Sequence, residues 1–162
     1  SRRSGMVEAP ELKLKEGDFA PEFPAATNGG GRVSLADFRG KSVVLYFYPR
    51  DNTPGCTKEA CVFRDQFPAF GGKDAVVLGV SPDPVKAHDR FTAKYKLPFP
   101  LLADEDRQIA RAYGAWGQKS FFGMKYMGMH RMTFLIGPDG RIRKVWPKVN
   151  PAKHAQEVLA AL

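Results

Sequence analysis

The chain has 162 residues, of which 43% are hydrophobic and 26% are charged. This length and composition are typical of a single globular domain that buries its core without disulfides or metals. No apolar run approaches the ~20 residues that a membrane-spanning helix requires. The two cysteines are too few for a disulfide-stapled scaffold.

The chain is basic, with 25 lysines and arginines against 17 acidic residues and a formal net charge of +8. Such a surface can attract nucleic acid or acidic partners without specificity. Residues 139–154 hold five of the basic residues and one aspartate, and the remainder are scattered. Because no aromatic-interleaved basic motif or recognition helix is present, we interpret this charge as a solvated face and expect no specific nucleic acid partner.

Residues 1–16 are predicted to form a tail, and residues 17–162 to form one domain. The first six residues have no apolar core of the kind found in a secretory signal. They are interpreted as a remnant of cloning before a native start at Met6, or as a natural tail. We therefore expect a cytoplasmic location, in which thiols stay reduced and a permanent structural disulfide does not form.

Two buried strands and a helix are predicted in the first half of the chain. Residues 43–48 form a short run of β-branched and aromatic residues that is apolar on both faces, as in a central, doubly covered strand. Residues 57–70 are predicted to be a helix, with Pro68 near its end. Residues 75–80 are predicted to be a second buried strand.

Further elements alternate in the same way. Asp83–Pro84 is typical of a helix N-cap followed by proline at the first helical position. Leu101–Leu102 is a candidate third strand. Asp104 is predicted to cap a short helix that ends at Gly114.

The chain is predicted to end with a β-hairpin and a helix. Residues 132–136 and 141–146 flank the turn at 137–140, and Asn150–Pro151 begins the closing helix. Alternating strands and helices predict a central sheet with helices on both faces, and the hairpin makes that sheet mixed. These features indicate an α/β protein with a thioredoxin-like fold.

Cys56 is the first candidate for chemistry. It lies between the most apolar strand and the first long helix, where ligand sites of open α/β sheets are found. Pro49, Pro54 and Gly55 predict a tight loop before it. In the first turn of a helix, free N–H groups and the helix dipole favour a thiolate, which is the nucleophilic form. A buried, inert cysteine is the alternative.

Cys61 lies five residues after Cys56. In an ideal helix, residues at this spacing have Cα atoms roughly 8–9 Å apart, beyond the ~7 Å limit for a disulfide. The two cysteines therefore cannot bond while the helix is intact, and if they bond, its first turn or two must unwind. Otherwise Cys61 is a core residue on the apolar side of the helix.

Two other chemistries fit the pattern poorly. Thioredoxin-type exchange uses a C-x-x-C motif, whereas this sequence has C-x-x-x-x-C. The cysteines lack zinc-ligand spacing, and His88, His130 and His154 show no paired pattern. We therefore expect neither a metal nor another cofactor.

The loop that leads to Cys56 carries the motif Pro49-x-x-x-Thr53-x-x-Cys56. On this signature the sequence resembles the peroxiredoxins, and within them the bacterioferritin-comigratory-protein or peroxiredoxin Q subgroup, and the resemblance extends over residues 17–162. Further matches are Gly17-Asp18-x-Ala20-Pro21-x-Phe23, Phe47-Tyr48-Pro49, Thr53-Pro54-Gly55-Cys56-Thr57-x-Glu59-Ala60-Cys61, Phe99-Pro100-Leu101-Leu102-x-Asp104, Arg131-x-Thr133-Phe134-Leu135-Ile136 and Pro138-Asp139-Gly140.

This resemblance implies a thiol-dependent peroxidase that reduces hydrogen peroxide and organic hydroperoxides in antioxidant defence. Cys56 would be oxidised to a sulfenic acid, and Cys61 would condense with it to an intramolecular disulfide. Thioredoxin, or a similar dithiol protein, would reduce that disulfide. The resemblance also suggests a monomer.

Four further residues match positions of the family site. Thr53 would hydrogen-bond the thiolate and the peroxide, and Pro49 would shield the thiolate from water. Arg131 would stabilise the thiolate and the charge that builds on the leaving oxygen. Glu59 would help to orient that arginine.

Two alternative functions remain open from the sequence. A thiol–disulfide oxidoreductase could use the same fold, but the cysteine spacing disfavours it, and so does Arg131, where such reductases resemble one another in carrying a proline. A basic protein that protects DNA or unfolded chains would be an additional activity. Residues 121–129 could line the site or contact thioredoxin, but we expect them to pack over the sheet edge.

Overall fold

The computed structural model describes residue 10 and residues 12–162. Most of these residues lie in one mixed α/β domain. Its strands are β1 (Pro24–Thr27), β2 (Arg32–Ser34), β3 (Ser42–Phe47), β4 (Ala75–Ser81), β5 (Leu101–Ala103), β6 (Trp116–Phe121), β7 (Met124–Met129), β8 (Met132–Ile136) and β9 (Ile142–Trp146). Its α-helices are α1 (Pro54–Asp65), α2 (Phe67–Gly72), α3 (Val85–Tyr95), α4 (Gln108–Tyr113) and α5 (His154–Ala161).

Seven of the strands form one sheet in the order β2-β1-β5-β4-β3-β8-β9. Strand β3 pairs in parallel with β4 and antiparallel with β8, and the β8–β9 hairpin is antiparallel. The sheet is therefore mixed, as the sequence predicts. Its thioredoxin-like arrangement confirms the expected fold class.

Strand β3 is central because both of its faces are apolar. Val43, Leu45 and Phe47 pack into the core on one face of the sheet. Val44 and Tyr46 pack into the core on the other face, together with Cys56 and residues of α1, α3 and α5. The alternation follows from the period of two of a strand. It brings the first turn of α1 onto the end of the most buried strand.

Pro68 divides the first predicted helix into two. The predicted helix over 57–70 is two helices, α1 and α2, and Pro68 lies in the first turn of α2 instead of near a helix end. The break is at Gln66, whose φ of −95° and ψ of 2° are not helical. Proline has no N–H to donate and its ring clashes with the carbonyl four residues before it, so α1 cannot continue.

Two predicted helix starts also differ from the observed ones. Helix α3 begins at Val85, with Pro84 as its N-cap residue. The Asp83 carboxylate does not cap the helix and instead accepts hydrogen bonds from the Asp51 N–H and the Ser81 hydroxyl. Helix α5 begins at His154, after a turn at residues 151–153.

Asp104 behaves largely as predicted. Its carboxylate accepts hydrogen bonds from the backbone N–H groups of Ile109 and Ala110, in the first turn of α4. These are N–H groups that the helix itself leaves without partners. The helix then ends at Gly114, which has a left-handed φ of 76°.

The methionine-rich segment departs from prediction. Strands β6 and β7 form a separate two-stranded sheet. Phe122 and Met124 at its tip are 72% and 74% exposed, so the prediction that this stretch packs over the sheet edge is wrong for the tip. Only the base is buried, where Met129 belongs to the core and Trp116 packs against it.

The predicted tail lies partly outside the described residues, which omit 1–9 and 11. Within the described part, Leu14 packs against the core and Lys13 donates a hydrogen bond to the Arg111 carbonyl. The division at residue 17 stays a prediction. No helix among the described residues has the length and apolar character needed to cross a membrane.

Candidate active site

The loop after β3 places Cys56 at the start of α1. Thr53 is the extended N-cap residue, Pro54 is the first helical residue, and Cys56 follows in the first turn. Cys56 is 2% exposed. The positive end of the helix and its unpaired N–H groups therefore face the region of the sulfur, as the sequence predicts.

Arg131 connects the thiol to a buried carboxylate. It lies between β7 and β8, and its Nη2 is 3.3 Å from the Cys56 sulfur. Its Nη1 donates to Glu59 Oε1 at 2.7 Å. The Glu59 side chain is fully buried, whereas that of Arg131 is 20% exposed. The structure therefore brings three of the six predicted site residues into direct contact.

Burial controls the charges of this triad. It raises the pKa of Glu59 to about 7, although the charge and hydrogen bond of Arg131 act in the opposite direction. Burial alone would lower the pKa of Arg131, but the negative charges of Glu59 and Cys56 outweigh it and raise that pKa. Arginine stays protonated at working pH, so the sulfur faces a permanent cation.

The other predicted residues surround this triad less directly. The Thr53 hydroxyl donates to the Arg50 carbonyl at 2.9 Å, and not to the sulfur. Pro49 is half-buried directly after β3 and Tyr48. Cys61 is half-buried further along α1, and both thiols are free. The roles predicted for these three residues stay predictions.

Two residues that lie in the electrostatic environment of Cys56 and Arg131 were not predicted from the sequence. Lys119, on β6, donates to the Met129 carbonyl at 2.8 Å. Burial and the charge of Arg131 lower the pKa of Lys119, while Cys56 acts in the opposite direction. Burial also raises the pKa of Tyr46 well above its usual range, and the charges of Glu59 and Cys56 add to this effect.

No signal in the sequence marks either residue. Lys119 lies in a polar–apolar stretch that was not predicted to be a strand. Tyr46 looks like any aromatic residue of a core strand. Its hydroxyl and Glu59 Oε2 are among the few buried side-chain atoms in the described residues that lack a hydrogen-bond partner.

The arrangement suits attack by sulfur on a polarised bond. The sulfur lies at a helix start, beside a fixed cation and largely out of water. A cation within hydrogen-bond distance stabilises a thiolate and any negative charge that develops on a departing oxygen. Restricted water protects the reactive sulfur species.

A family model and similar proteins of known sequence assign this chain to one protein family. The family model AhpC/TSA matches residues 16–145. The "Putative peroxiredoxin bcp" of Coxiella burnetii is 49% identical over 151 residues, covering 93% of this chain and 100% of the relative. "Peroxiredoxin Bcp" of Bacillus subtilis is 46% identical over 151 residues, covering 93% and 96%.

Solved structures agree. A mutant of Xanthomonas campestris peroxiredoxin Q superposes with a TM-score of 0.84 at 40% identity, covering 93% of this chain and 96% of that chain. A Xanthomonas campestris bacterioferritin comigratory protein, studied for alkyl peroxide reduction, gives 0.84 at 39% identity with the same coverage. Fold, family model and close relatives are thus consistent with the predicted peroxiredoxin resemblance. The chain belongs to the AhpC/TSA family, and it is a thiol-dependent peroxidase of the Bcp or peroxiredoxin Q type.

Proposed function

We propose that Cys56 is the thiol that reduces the peroxide and that Arg131 is its catalytic cation. The observation that carries this assignment is the 3.3 Å contact between Arg131 Nη2 and the Cys56 sulfur at the start of α1. Glu59 holds the other end of the same guanidinium at 2.7 Å. A bidentate arginine of this kind has little freedom to turn away from the sulfur.

The first step is nucleophilic displacement on the O–O bond. The Cys56 thiolate bonds to one peroxide oxygen, the O–O bond breaks, and the electron pair leaves with the other oxygen. That oxygen takes up a proton and departs as water or an alcohol. The sulfur is oxidised to a sulfenic acid. Arg131 stabilises both the thiolate and the oxide that develops, while Thr53 and Pro49 orient the peroxide and exclude water.

The second step uses Cys61. Its thiol attacks the sulfenic sulfur, the S–O bond breaks, and water and an intramolecular disulfide form. Both cysteines lie within α1, and five-residue spacing in an intact helix exceeds disulfide reach. The disulfide therefore requires the first turns of α1 to unwind, which also separates Cys56 and Glu59 from Arg131.

Recycling requires an external dithiol. A thioredoxin-like protein attacks the disulfide with one thiol, and its second thiol releases the reduced enzyme by exchange. A reducing compartment supplies such a partner, so we place the reaction in the cytoplasm. We also propose that the chain works as a monomer without a specific nucleic acid partner, since the second step needs no cysteine from another subunit.

The assignment is tested by peroxide consumption coupled to thioredoxin, in wild type and in the variants Cys56→Ser and Cys61→Ser. We expect Cys56→Ser to abolish turnover. Cys61→Ser should allow one oxidation per chain and then stop. Retained turnover in Cys56→Ser would contradict the first role, and full cycling of Cys61→Ser would contradict the second. Light scattering of the reduced and oxidised enzyme checks the monomer.

A further inference from the structure

A second cluster of polar groups is buried around the loop of residues 48–53, which connects β3 to α1 and is called the catalytic loop below. His88, on α3, and Asp51, in the loop, form a contact of 2.6 Å between Nδ1 and Oδ2. The other ring nitrogen of His88 is 2.9 Å from the Leu102 carbonyl oxygen. The side chains of His88 and Asp51 are 0% and 5% exposed. The contacts are therefore shielded from bulk solvent.

The remaining atoms of the cluster are also engaged. The Tyr48 hydroxyl donates to Asp51 Oδ1 at 2.6 Å. The Asp51 N–H and the Ser81 hydroxyl both donate to Asp83 Oδ2, at 2.8 and 2.6 Å. Asp51, Asp83 and His88 have the proximity of metal ligands. However, His88 and the Asp51 carboxylate bind each other, and the Asp83 carboxylate binds the Asp51 N–H and the Ser81 hydroxyl. The cluster is therefore an internal hydrogen-bond network.

The hydrogen-bond partners of His88 and Asp51 determine the net charge of this pair. The Leu102 carbonyl can only accept, so His88 Nε2 carries a hydrogen. The contact with Asp51 at 2.6 Å needs one more hydrogen between Nδ1 and Oδ2, because two lone pairs at that distance repel each other. The pair therefore holds two hydrogens and has no net charge. Asp51 accepts from the Tyr48 hydroxyl at its other oxygen, as an ionised carboxylate does, so the shared hydrogen is placed on His88 Nδ1.

Asp51 connects this pair to Cys56, which follows it five residues later in the chain. Asp51 is two residues before Thr53, in the loop that leads into α1. Its neighbour Asn52 has a left-handed φ of 60°, and its side-chain oxygen accepts from Lys94 and from the Tyr95 hydroxyl. Helix α3 thus holds the catalytic loop at two consecutive residues.

We propose that His88 is a positioning residue of the peroxidase site, which fixes the catalytic loop and neutralises Asp51. The proposal rests on the assignment of Cys56 as the reacting thiol. A buried ion pair adds little to stability, but removing one partner leaves a charge that burial penalises strongly. Without His88, the loop would carry an uncompensated carboxylate close to a site that must itself hold a thiolate.

The charged groups around Cys56 show why an uncompensated carboxylate at Asp51 would affect the thiolate. Arg131 contacts the sulfur, Lys119 adds a second positive charge, and Glu59 contributes a carboxyl group. Burial is the main reason that the pKa of Tyr46 is raised, and the charges of Cys56 and Asp51 both add to it. A negative charge at Asp51 that His88 no longer compensates disfavours the thiolate.

The charge state is tested on the wild-type protein, by nitrogen-15 NMR of the His88 ring. We expect both ring nitrogens to carry hydrogens in the folded protein under the conditions of the peroxide assay, because one faces a carbonyl oxygen and the other a carboxylate oxygen. A ring nitrogen without a hydrogen under those conditions overturns the proposal. This measurement does not depend on Cys56, so it is decisive even if the proposed reaction fails.

The functional consequence is tested with His88→Gln and with the double variant Asp51→Asn/His88→Gln. Glutamine leaves Asp51 charged, and we expect the rate constant of the peroxide reaction to fall about fivefold or more, together with the ultraviolet absorbance of the thiolate. The double variant keeps a hydrogen-bonded amide pair without charge. It should recover to within about twofold of wild type.

A control variant on α3 distinguishes the loss of charge at His88 from a general loss of contacts that hold α3 in place. Asp89 accepts a hydrogen bond from the Gly29 N–H and does not contact the loop, so Asp89→Asn should keep the wild-type rate. If the double variant reacts no faster than His88→Gln, lost packing accounts for the effect and the proposal is wrong. If His88→Gln reacts like wild type, the proposal is also wrong.

Discussion

Gly55 leaves only enough room for the guanidinium of Arg131. A Cβ atom at position 55 would stand 3.2 Å from Arg131 Nη2, which is the nitrogen that contacts the Cys56 sulfur. The absence of a side chain at position 55 therefore permits the observed close approach of Arg131 to the first turn of α1. The backbone of α1 and the arginine share the space above the thiol.

Gly55→Ala is expected to push Arg131 away from the sulfur. Weakening a hydrogen bond to a charged group by about 1.4 kcal/mol lowers the rate constant with peroxide about tenfold. Stopped-flow oxidation by hydrogen peroxide measures this effect. Gly71→Ala is the matched control, because a Cβ there has nothing within 4 Å. An unchanged rate in Gly55→Ala would show that the arginine has another route to the sulfur.

Arg131→Lys keeps the charge but loses the fork of two donors. A single ammonium group cannot reproduce contacts to both Cys56 and Glu59. We expect a loss of about 1.5–3 kcal/mol of stabilisation, which is about 10- to 150-fold in the rate constant. The exposed Arg143→Lys is the control, measured in the same peroxide assay. Equal rates in both variants would mean that charge alone is sufficient.

Glu59 should make stability depend on pH. Its folded pKa of about 7 lies above the ordinary value of 4.5, so the folded state binds more protons between these values. The free energy of unfolding contributed by this group is then fully present below about pH 4.5 and is lost as pH rises through about 7. The loss is about 3 kcal/mol.

Glu59→Gln removes this contribution while it keeps an oxygen to accept from Arg131. The stability of the variant relative to wild type should therefore rise by about 3 kcal/mol between about pH 4 and about pH 8. Urea unfolding at several pH values measures it. Glu105→Gln, at an exposed position, should run parallel to wild type. A parallel curve for Glu59→Gln would show that Glu59 gains no protons on folding.

Oxidation should open the start of α1. Because Cys56 and Cys61 cannot bond within an intact helix, amide hydrogen exchange over residues 55–63 should accelerate once the disulfide forms. Helix α3 provides the internal reference, and its protection should hardly change. Equal protection of residues 55–63 in both states would rule out unwinding as the route to the disulfide.

Local pattern was sufficient wherever neighbours in sequence decide the structure. The apolar run of β3 predicted a doubly covered strand, and the order of strand, loop and helix predicted Cys56 in a first helical turn. Pro54 and Gly55, which were expected in the loop, already belong to α1. The sequence pattern failed at Pro68, where a helical spacing of apolar residues continues across a proline. One helix was predicted there, and the structure has two. The pattern also failed at the β6–β7 hairpin, because exposed apolar residues resemble core residues in a sequence.

The candidate site shows the same division. Cys56, Cys61 and the loop between β3 and α1 can be found from spacing and loop chemistry. Arg131 was found only through the family motif, since 75 residues separate it from the cysteine that it contacts. The pair of His88 and Asp51 was not predicted at all, because neither residue is unusual in its own segment.

The order of residues therefore determined the alternation of strands and helices and the placement of a thiol at a helix start, because these depend on local periodicity and backbone conformation. Folding alone decided which charges surround that thiol. Strands β3, β4 and β8 come from distant parts of the chain and pair in the middle of one sheet. This arrangement brings Arg131 to Cys56 and His88 to Asp51. Burial then sets the ionisation of the groups gathered there.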